Sequence, residues 1–530
     1  MARQRAGAAT TVAGENMTHS IPAVSAESPD LLFAHPSSRQ ERLLVALFCL
    51  LAAVRVFLFT AAFPFFSCVD EQHHFDLICR YTHGDFPGGP QPFSPEAAHW
   101  IALYGSPEYL QDLGDLPAEK VAPPVWASAP EVRARLLQRR TNIWKKTENH
   151  ETVQPPLYYP LVAGWGYLGK CLALDDGNLL YWLRFFNVPV YAVLVWLSYL
   201  LAKELCPASK FVYLGVPCML VAFPQDIYYN LNNDILSAPL VTLSLYLLFR
   251  LYQTDDPRPG LALGAGLAAV AAVLTKFTNT PILAVVAIVA AAKLRPFWRQ
   301  KGPPAHWLPV ILLLLAAGLP VGCWLIRNCL VLGDMTGMAA KSRCLGWTPK
   351  PLAEYGNHPI FTLRGCLAFW IHLITTFWRG DISWHGRRLA AGALDTVYVM
   401  SSTAFLLTTL IAAARGAKTP LASRSAAVFC LLPFALAVAL LIFCSITVDF
   451  GHCFFPSRQW PFHSVGRLIL GALVPFLIIY LSGLQSLLDW LHLSFLRLPL
   501  LILLVDIMAV AQIVYSLDVF ASQYNWFHLP

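Results

Sequence analysis

The sequence predicts an all-α fold, a polytopic transmembrane helical bundle of about eleven or twelve spans with a large helical first external loop, and three observations predict it. Of 530 residues, 56% are hydrophobic and only 13% charged, whereas a soluble chain carries about 25% charged residues. Apolar segments recur along the whole chain, at 43–66, 157–173, 181–201, 211–224, 235–252, 260–274, 279–292, 307–332, 394–414, 426–448, 468–487 and 497–516. No long hydrophilic module is present to form a soluble domain, and no repeat with a period of about 20 to 50 residues suggests a solenoid.

Taken in order, residues 1–38 are polar and rich in Ala and Ser, which reads as a disordered cytoplasmic tail. The tail has no apolar core and so is not a signal peptide. The run Leu43 to Phe66 is long enough to cross the bilayer and is expected to be retained as an anchor. The sequon Asn16-Met17-Thr18 precedes this anchor and is expected in the cytoplasm, unused. In the first external loop, 67–156, the spacing Ser128-Ala129-Pro130-Glu131 suggests a capping box that starts a helix running to about Lys146. That helix has a partial apolar stripe (Val132, Leu136, Ile143, Trp144) among six cations, which suits the headgroup layer or plain solvent. The segment 157–173 is short and carries Gly164, Gly166, Gly169 and Lys170, so it reads as a partial or interfacial helix.

Short loops rich in Lys and Arg stay on the cytoplasmic side. Here they include Arg39/Arg42, Arg250/Arg258, Lys293 to Lys301, Arg415/Lys418/Arg424 and Arg497. With these inside, the polar stretches 67–156, 333–391 and 449–466 all fall on the external face of one domain, 39–520, followed by a C-terminal tail, 521–530. A bacterial cytoplasmic membrane is expected, with the endoplasmic reticulum as the alternative. The net charge of +7 is accounted for by the inside loops, so no nucleic-acid partner is expected. The 13 cysteines lie mostly inside apolar runs without CxxC spacing, which indicates neither a zinc site nor a disulfide framework.

Directly after the first span comes FSCVDEQHHFD, Phe66 to Asp76. A carboxylate at a span end borders low dielectric and suits a general base or a ligand to a divalent cation. In a helical arrangement Glu71 and His74 share a face, as do Gln72 and Asp76. Taken alone, such a pair is more often a polar boundary than a catalytic site. The loop ends in ENHETVQPPLYY, Glu148 to Tyr159, whose two prolines set an extended entry into the next helix.

VDEQHHFD and QPPLYYP, in that order, resemble the acidic motif and the Pro-Pro-Leu-x-Tyr motif of the GT-C superfamily of integral membrane glycosyltransferases. The similarity is to the branch with protein O-mannosyltransferases, aminoarabinose transferases and related bacterial membrane proteins. RFFN (184–187), NLNND (230–234), LTKFTN (274–279), LIRNCLVLGD (325–334), TFWRGDISW (376–384) and SVGR (464–467) are similar to weaker landmarks, so the resemblance covers about 43–470. It implies transfer of a sugar, with inversion, from a polyprenyl-phosphate or pyrophosphate donor to a lipid, glycan or protein acceptor at the external face. Carried over residue by residue, Asp70 is the base and Glu71 a supporting acid or metal ligand. Glu151 adds a ligand or positions the acceptor, and His74 and Gln154 lie near acceptor or metal. Asn233 and Asp234, external in this topology, suit acceptor or metal binding and helix capping equally. Gln154 stands where a charged contact to phosphate is common in the family. Lys276, Arg327, Arg467 and Arg458 are candidate cations for the donor phosphate. The implied cofactor is a divalent metal cation, and the implied partners are the lipid-linked donor, membrane lipids and an unidentified acceptor.

Arg55, within the first span, is expected to pair internally. Trp370, Trp378, Trp384 and Trp460 are read as interfacial anchors ahead of sugar platforms. A flippase for a lipid-linked saccharide is the competing class, but no pair of Gly/Pro-broken helices in two similar halves supports it. A membrane scaffold would leave Asp70 and the external cations without a shared purpose.

Overall fold

The computed structural model describes residues 38–109, 121–254, 258–300, 307–415 and 419–529. The expected tail before Ser38, with its sequon, lies outside these residues. Among the described residues nine helices are long and apolar enough to cross a membrane, from Arg39–Ala62 to Ser494–Phe520. Two shorter apolar helices, Lys210–Val221 and Pro259–Thr275, join them. Strand among the described residues is confined to three pairs of two-residue strands. The chain is a multi-pass, all-α membrane protein.

The first helix, α1 (Ser38–Ala62), shows how such a segment divides its faces. Leu43, Leu47, Leu50, Val54 and Leu58 form an exposed stripe at helical spacing, while Val45, Ala52, Val56 and Phe59 are buried. Lipid solvates the first set and the bundle solvates the second. The helix stops at Ala62, two residues before Pro64, because a residue preceding proline is pushed out of the helical region. Arg55 on α1 does pair internally, its Nη1 donating to the Tyr229 hydroxyl at 2.6 Å and to Gln512 Oε1 at 2.9 Å.

The three long polar stretches meet at one end of the bundle. Gln91–Pro92 pairs with Glu148–Asn149, Thr348–Pro349 pairs with Val448–Asp449, and Lys341 forms an ion pair with Glu151. Between 157 and 332 lie six of the apolar helices, and between 392 and 447 two, even numbers that return the chain to the same end. Helix Tyr158–Cys171 therefore does not cross by itself. It turns back on Asp176–Phe185, with Trp165 and Trp182 stacked at 4.5 Å and each indole N–H donating to the other's carbonyl at 2.7 Å. Gly169 permits this, since a Cβ there would meet Trp182 at 2.4 Å.

The basic helix of the first loop runs Pro130–Trp144, but without the expected capping box. Ser128 donates to the Pro124 carbonyl instead, and Ala129 occupies the cap position with Pro130 supplying the preset φ of the first turn. Residues 521–529 pack rather than trail: Ser522 donates to Glu108, and Trp526 meets Phe57 and Phe185 edge-on.

Between Lys210–Val221 and Ser237–Gln253 the chain leaves the α-helix while still buried, in two short 3₁₀ turns. Polar backbone at that depth must find partners inside the protein. Asn187 donates to the carbonyls of Tyr228 and Asn230 at 2.9 Å, Gln225 to those of Thr376 and Phe377, and Asn232 to that of Val69 at 3.1 Å. This buried break brings Asp234 beside the residues that follow α1.

Candidate active site and metal cluster

After α1 the chain reaches Asp70, whose φ of 66° places it in the left-handed region, and then enters α2 (Glu71–Thr82). A non-glycine residue there is uncommon and persists when its surroundings impose it. The imposing contact is next door. Glu71 is fully buried and accepts from Arg184 Nε and Nη2 at 2.6 Å, from Ser67 N at 2.8 Å and from Leu231 N at 2.9 Å. Arg184 also donates to the Phe63 and Pro64 carbonyls and lies over the Phe65 ring. Every oxygen of Glu71 is thus occupied with framing the α1–α2 corner.

Asp70 is held differently. Its side chain is 32% exposed and accepts from Arg467 Nη2 at 2.8 Å. Burial pushes its pKa up, but Arg467 outweighs that and holds the carboxyl well below the usual range. Arg467 is aimed by the glycine before it. A Cβ at Gly466 would meet the Phe377 backbone at 2.0 Å, so only glycine lets this turn lie on helix Leu363–Arg379, where Gly466 N donates to Thr376 Oγ1 at 2.8 Å. The same guanidinium stands 4.0 Å from Asp234.

Around this pair the structure gathers further charges. Lys276 Nζ is 2.6 Å from Asp234 Oδ1, and burial, countered by Asp234, lowers the lysine's pKa. Glu151 takes Lys341 and Gln154 and lies 3.3 Å from His150 Nε2. Burial works to raise its pKa, but Lys341 and His150 hold it well below the ordinary value. His74 Nδ1 is 3.0 Å from the Tyr159 hydroxyl, and burial lowers its pKa to about 3. His463 is half-buried with its Nδ1 enclosed and unpartnered, and burial with Lys341, Arg467 and Lys276 pushes its pKa to about 4.

One group has metal-ligand geometry. A carboxylate oxygen of Asp70 and one ring nitrogen each of His73 and His150 lie within 4.8 Å of one another. His73 Nδ1 is buried without a partner, and burial, then His150, lowers this ring's pKa to about 4. Two imidazoles beside an ionised carboxylate suit a borderline divalent cation of the zinc or manganese type.

Residues 50–453 match the family described as predicted membrane protein DUF2142. The chain belongs to that family. Among solved structures, this DUF2142 chain is similar to the oligosaccharyltransferase AglB of Archaeoglobus fulgidus, in complex with an inhibitory peptide and a dolichol-phosphate. Identity is 12%, coverage 89% of this chain and 56% of that one, and TM-score 0.38. Arabinosyltransferase EmbB of Mycobacterium smegmatis gives 12%, 96%, 42% and 0.40, and the apo Archaeoglobus enzyme 12%, 90%, 56% and 0.37. The DUF2142 chain thus spans about half the length of these structures. No curated protein matches it.

Of the residues singled out from sequence, Asp70, His74, Glu151, Gln154, Asp234, Lys276 and Arg467 fall in or against this cluster. Asn233 braces it, donating to the Thr275 carbonyl at 3.0 Å. Two cations stay outside. Arg327 bonds the Pro87 carbonyl and lies over Trp324, and Arg458 is 63% exposed and paired with Asp449 at 2.9 Å. Trp378 is buried against Tyr398 in a parallel stack, so it serves the core rather than a sugar or the interface. Sequence reasoning missed Arg184, His73, His150 and Lys341 as site residues. Arg184 had a readable signal, a cation at the edge of an apolar segment. Lys341 had none, since its partner Glu151 is 190 positions away.

Proposed function

We propose that this DUF2142 protein is a membrane glycosyltransferase that moves a sugar, with inversion, from a polyprenyl-phosphate or pyrophosphate carrier to an acceptor at the external face. The observation that carries the reading is Asp70: ionised, a third exposed, and set against Arg467 with Lys276 and Lys341 nearby. The motif resemblance around Asp70 and Gln154-Pro155-Pro156 supports it.

In this reading the acceptor's oxygen or nitrogen attacks the anomeric carbon opposite the phosphate. Its proton passes to Asp70 while the sugar–phosphate bond breaks and the electron pair leaves with the lipid phosphate. A carboxylate held far below neutrality is a weak base. Arg467 resolves this, because an incoming phosphate competes for the guanidinium, loosens its hold on Asp70 and lets the carboxyl's pKa rise. The buried cations meet the charge developing on the leaving phosphate. The proposed metal ligands are Asp70, His73 and His150, in place of Glu71 and Glu151. A bound divalent cation there would supply further neutralisation of phosphate charge.

The test is to purify the protein with native lipids and follow by mass spectrometry a co-purifying polyprenyl-linked sugar as candidate acceptors are added. Consumption by wild type and not by Asp70→Asn is expected. Equal consumption by both would overturn the role of Asp70, and a bound lipid that only changes leaflet would favour a flippase.

A further inference from the structure

A second polar site lies inside the bundle, where helices Gly392–Ala414 and Arg497–Phe520 face each other over the buried 3₁₀ break. A cavity of about 30 Å³ opens there, lined by Asp226, Tyr229, Tyr398, Gln512 and Ser516 with apolar neighbours such as Leu394 and Ala511. Two of the lining groups, Asp226 Oδ1 and the Tyr398 hydroxyl, are buried with no hydrogen-bond partner among the described residues. Asp226 is 7% exposed and Tyr398 4%. Buried polar atoms are nearly always partnered, and each one left alone costs about 1–3 kcal/mol. Two of them on residues that line one cavity therefore point to something that binds there.

Three features define the occupant. The two helices flanking it are candidate membrane spans and expose Val397, Met400, Val510 and Val514 on their outer faces. The cavity has no cation to spare for an anion: Arg379 is held by Asp395 through bonds of 2.8 and 3.0 Å. Its remaining ionisable groups are acids, Asp226 with Asp381 beside it. The volume, the room of roughly two waters, suits a single hydroxyl group. A hydroxyl both donates and accepts, as the facing carboxyl and phenol require. Burial, and then Asp381, raise the Asp226 pKa to about 8, so a neutral ligand meets a neutral carboxyl at physiological pH.

We propose that this cavity binds the uncharged hydroxyl end of a membrane amphiphile, entering sideways from the bilayer between Gly392–Ala414 and Arg497–Phe520. The site goes beyond the glycosyltransferase reading and does not rest on it. Asp226 has its own anchors, its Oδ2 accepting from Ile382 N at 2.8 Å and its carboxyl packed on Gly380.

The test uses the full chain in nanodiscs and three photoactivatable, alkyne-tagged probes sharing one chain: a fatty alcohol, the fatty acid and a phosphatidic acid. The alcohol is expected to label segments 392–398 and 511–516, to be displaced by excess untagged alcohol, and to label about three- to tenfold less in Tyr398→Phe. Ala511→Leu, which fills the cavity from a lipid-facing helix, is expected to lose the competable label while folding normally. Equal, non-competable labelling by all three probes would mean ordinary surrounding lipid, and absence of label in these segments would mean a cavity filled by water alone. Either result overturns the proposal. Because the readout is labelling, failure here leaves the sugar-transfer assay untouched, and the reverse.

Discussion

Asp70 and Glu71 are neighbours with the same chemistry and opposite surroundings. Glu71 and Arg184 are both wholly buried, and the carboxylate accepts four hydrogen bonds. Asp70 is a third exposed and accepts from one guanidinium that it shares with Asp234. The first arrangement has no lone pair to give and acts as a frame; the second can exchange its partner for a ligand. Asp76, the third acid of the same stretch, repeats the first pattern by accepting from Ser94 N, Asn149 and Arg80. The helix that follows α1 therefore spends two carboxylates on holding one in place.

The sharpest way to break the contrast is to open the closed pair. Arg184→Met leaves Glu71 charged, buried and unpaired, which costs about 3–5 kcal/mol. The expected result is loss of monodisperse protein on size exclusion, with partial recovery in Arg184→Met/Glu71→Gln; normal folding of the single variant would show the pair is not a frame. Asp70→Asn works on the other member. Sugar transfer is expected to drop about 10²- to 10⁴-fold with a melting temperature near that of wild type, since a partly exposed ion pair is worth about 1 kcal/mol or less. A comparable collapse of both variants on heating would erase the distinction.

Metal binding sharpens the assignment next. Zinc or manganese at 100 times its dissociation constant would stabilise the fold by about 2.7 kcal/mol. That gain in melting temperature is expected to vanish in His150→Ala and to survive in Glu151→Gln; the reverse pattern would return the ligand role to Glu151. Asp226 yields a smaller effect of defined sign. Its pKa is raised in the folded chain from 3.8 to about 8, so between those values the folded state binds more protons than the unfolded one. Stability is then greatest at low pH and falls as pH climbs through that window. Asp226→Asn is expected to flatten the fall in melting temperature between about pH 5 and pH 8.5, and an unchanged slope would contradict the assignment. Smallest of all, Arg458→Ala should leave both transfer and melting temperature at their wild-type values, since an exposed ion pair away from the cluster contributes little.

Much of this was legible in the chain because hydrophobicity is local. The spans could be read as uninterrupted apolar runs, and Tyr158–Cys171 betrayed itself as a partial helix by its length and glycines. Asp70, Lys276 and Arg467 could be picked out because a charge next to hydrocarbon needs a reason. The capping box at Ser128 failed because a motif specifies only what a side chain is able to bond, and the Pro124 carbonyl was a competing acceptor.

The amino-acid sequence by itself determined that this chain lives in a membrane, roughly where it crosses, and that its polar chemistry is concentrated after the first span, since transfer free energies sum along a segment. Which of Asp70 and Glu71 stays open, which histidines stand with Asp70, and that Lys341 reaches Glu151 were decided only by tertiary structure. Electrostatics and hydrogen bonding depend on distances of 3 to 4 Å, and residues such as Glu71 and Arg184, 113 positions apart, acquire those distances only when the helices pack.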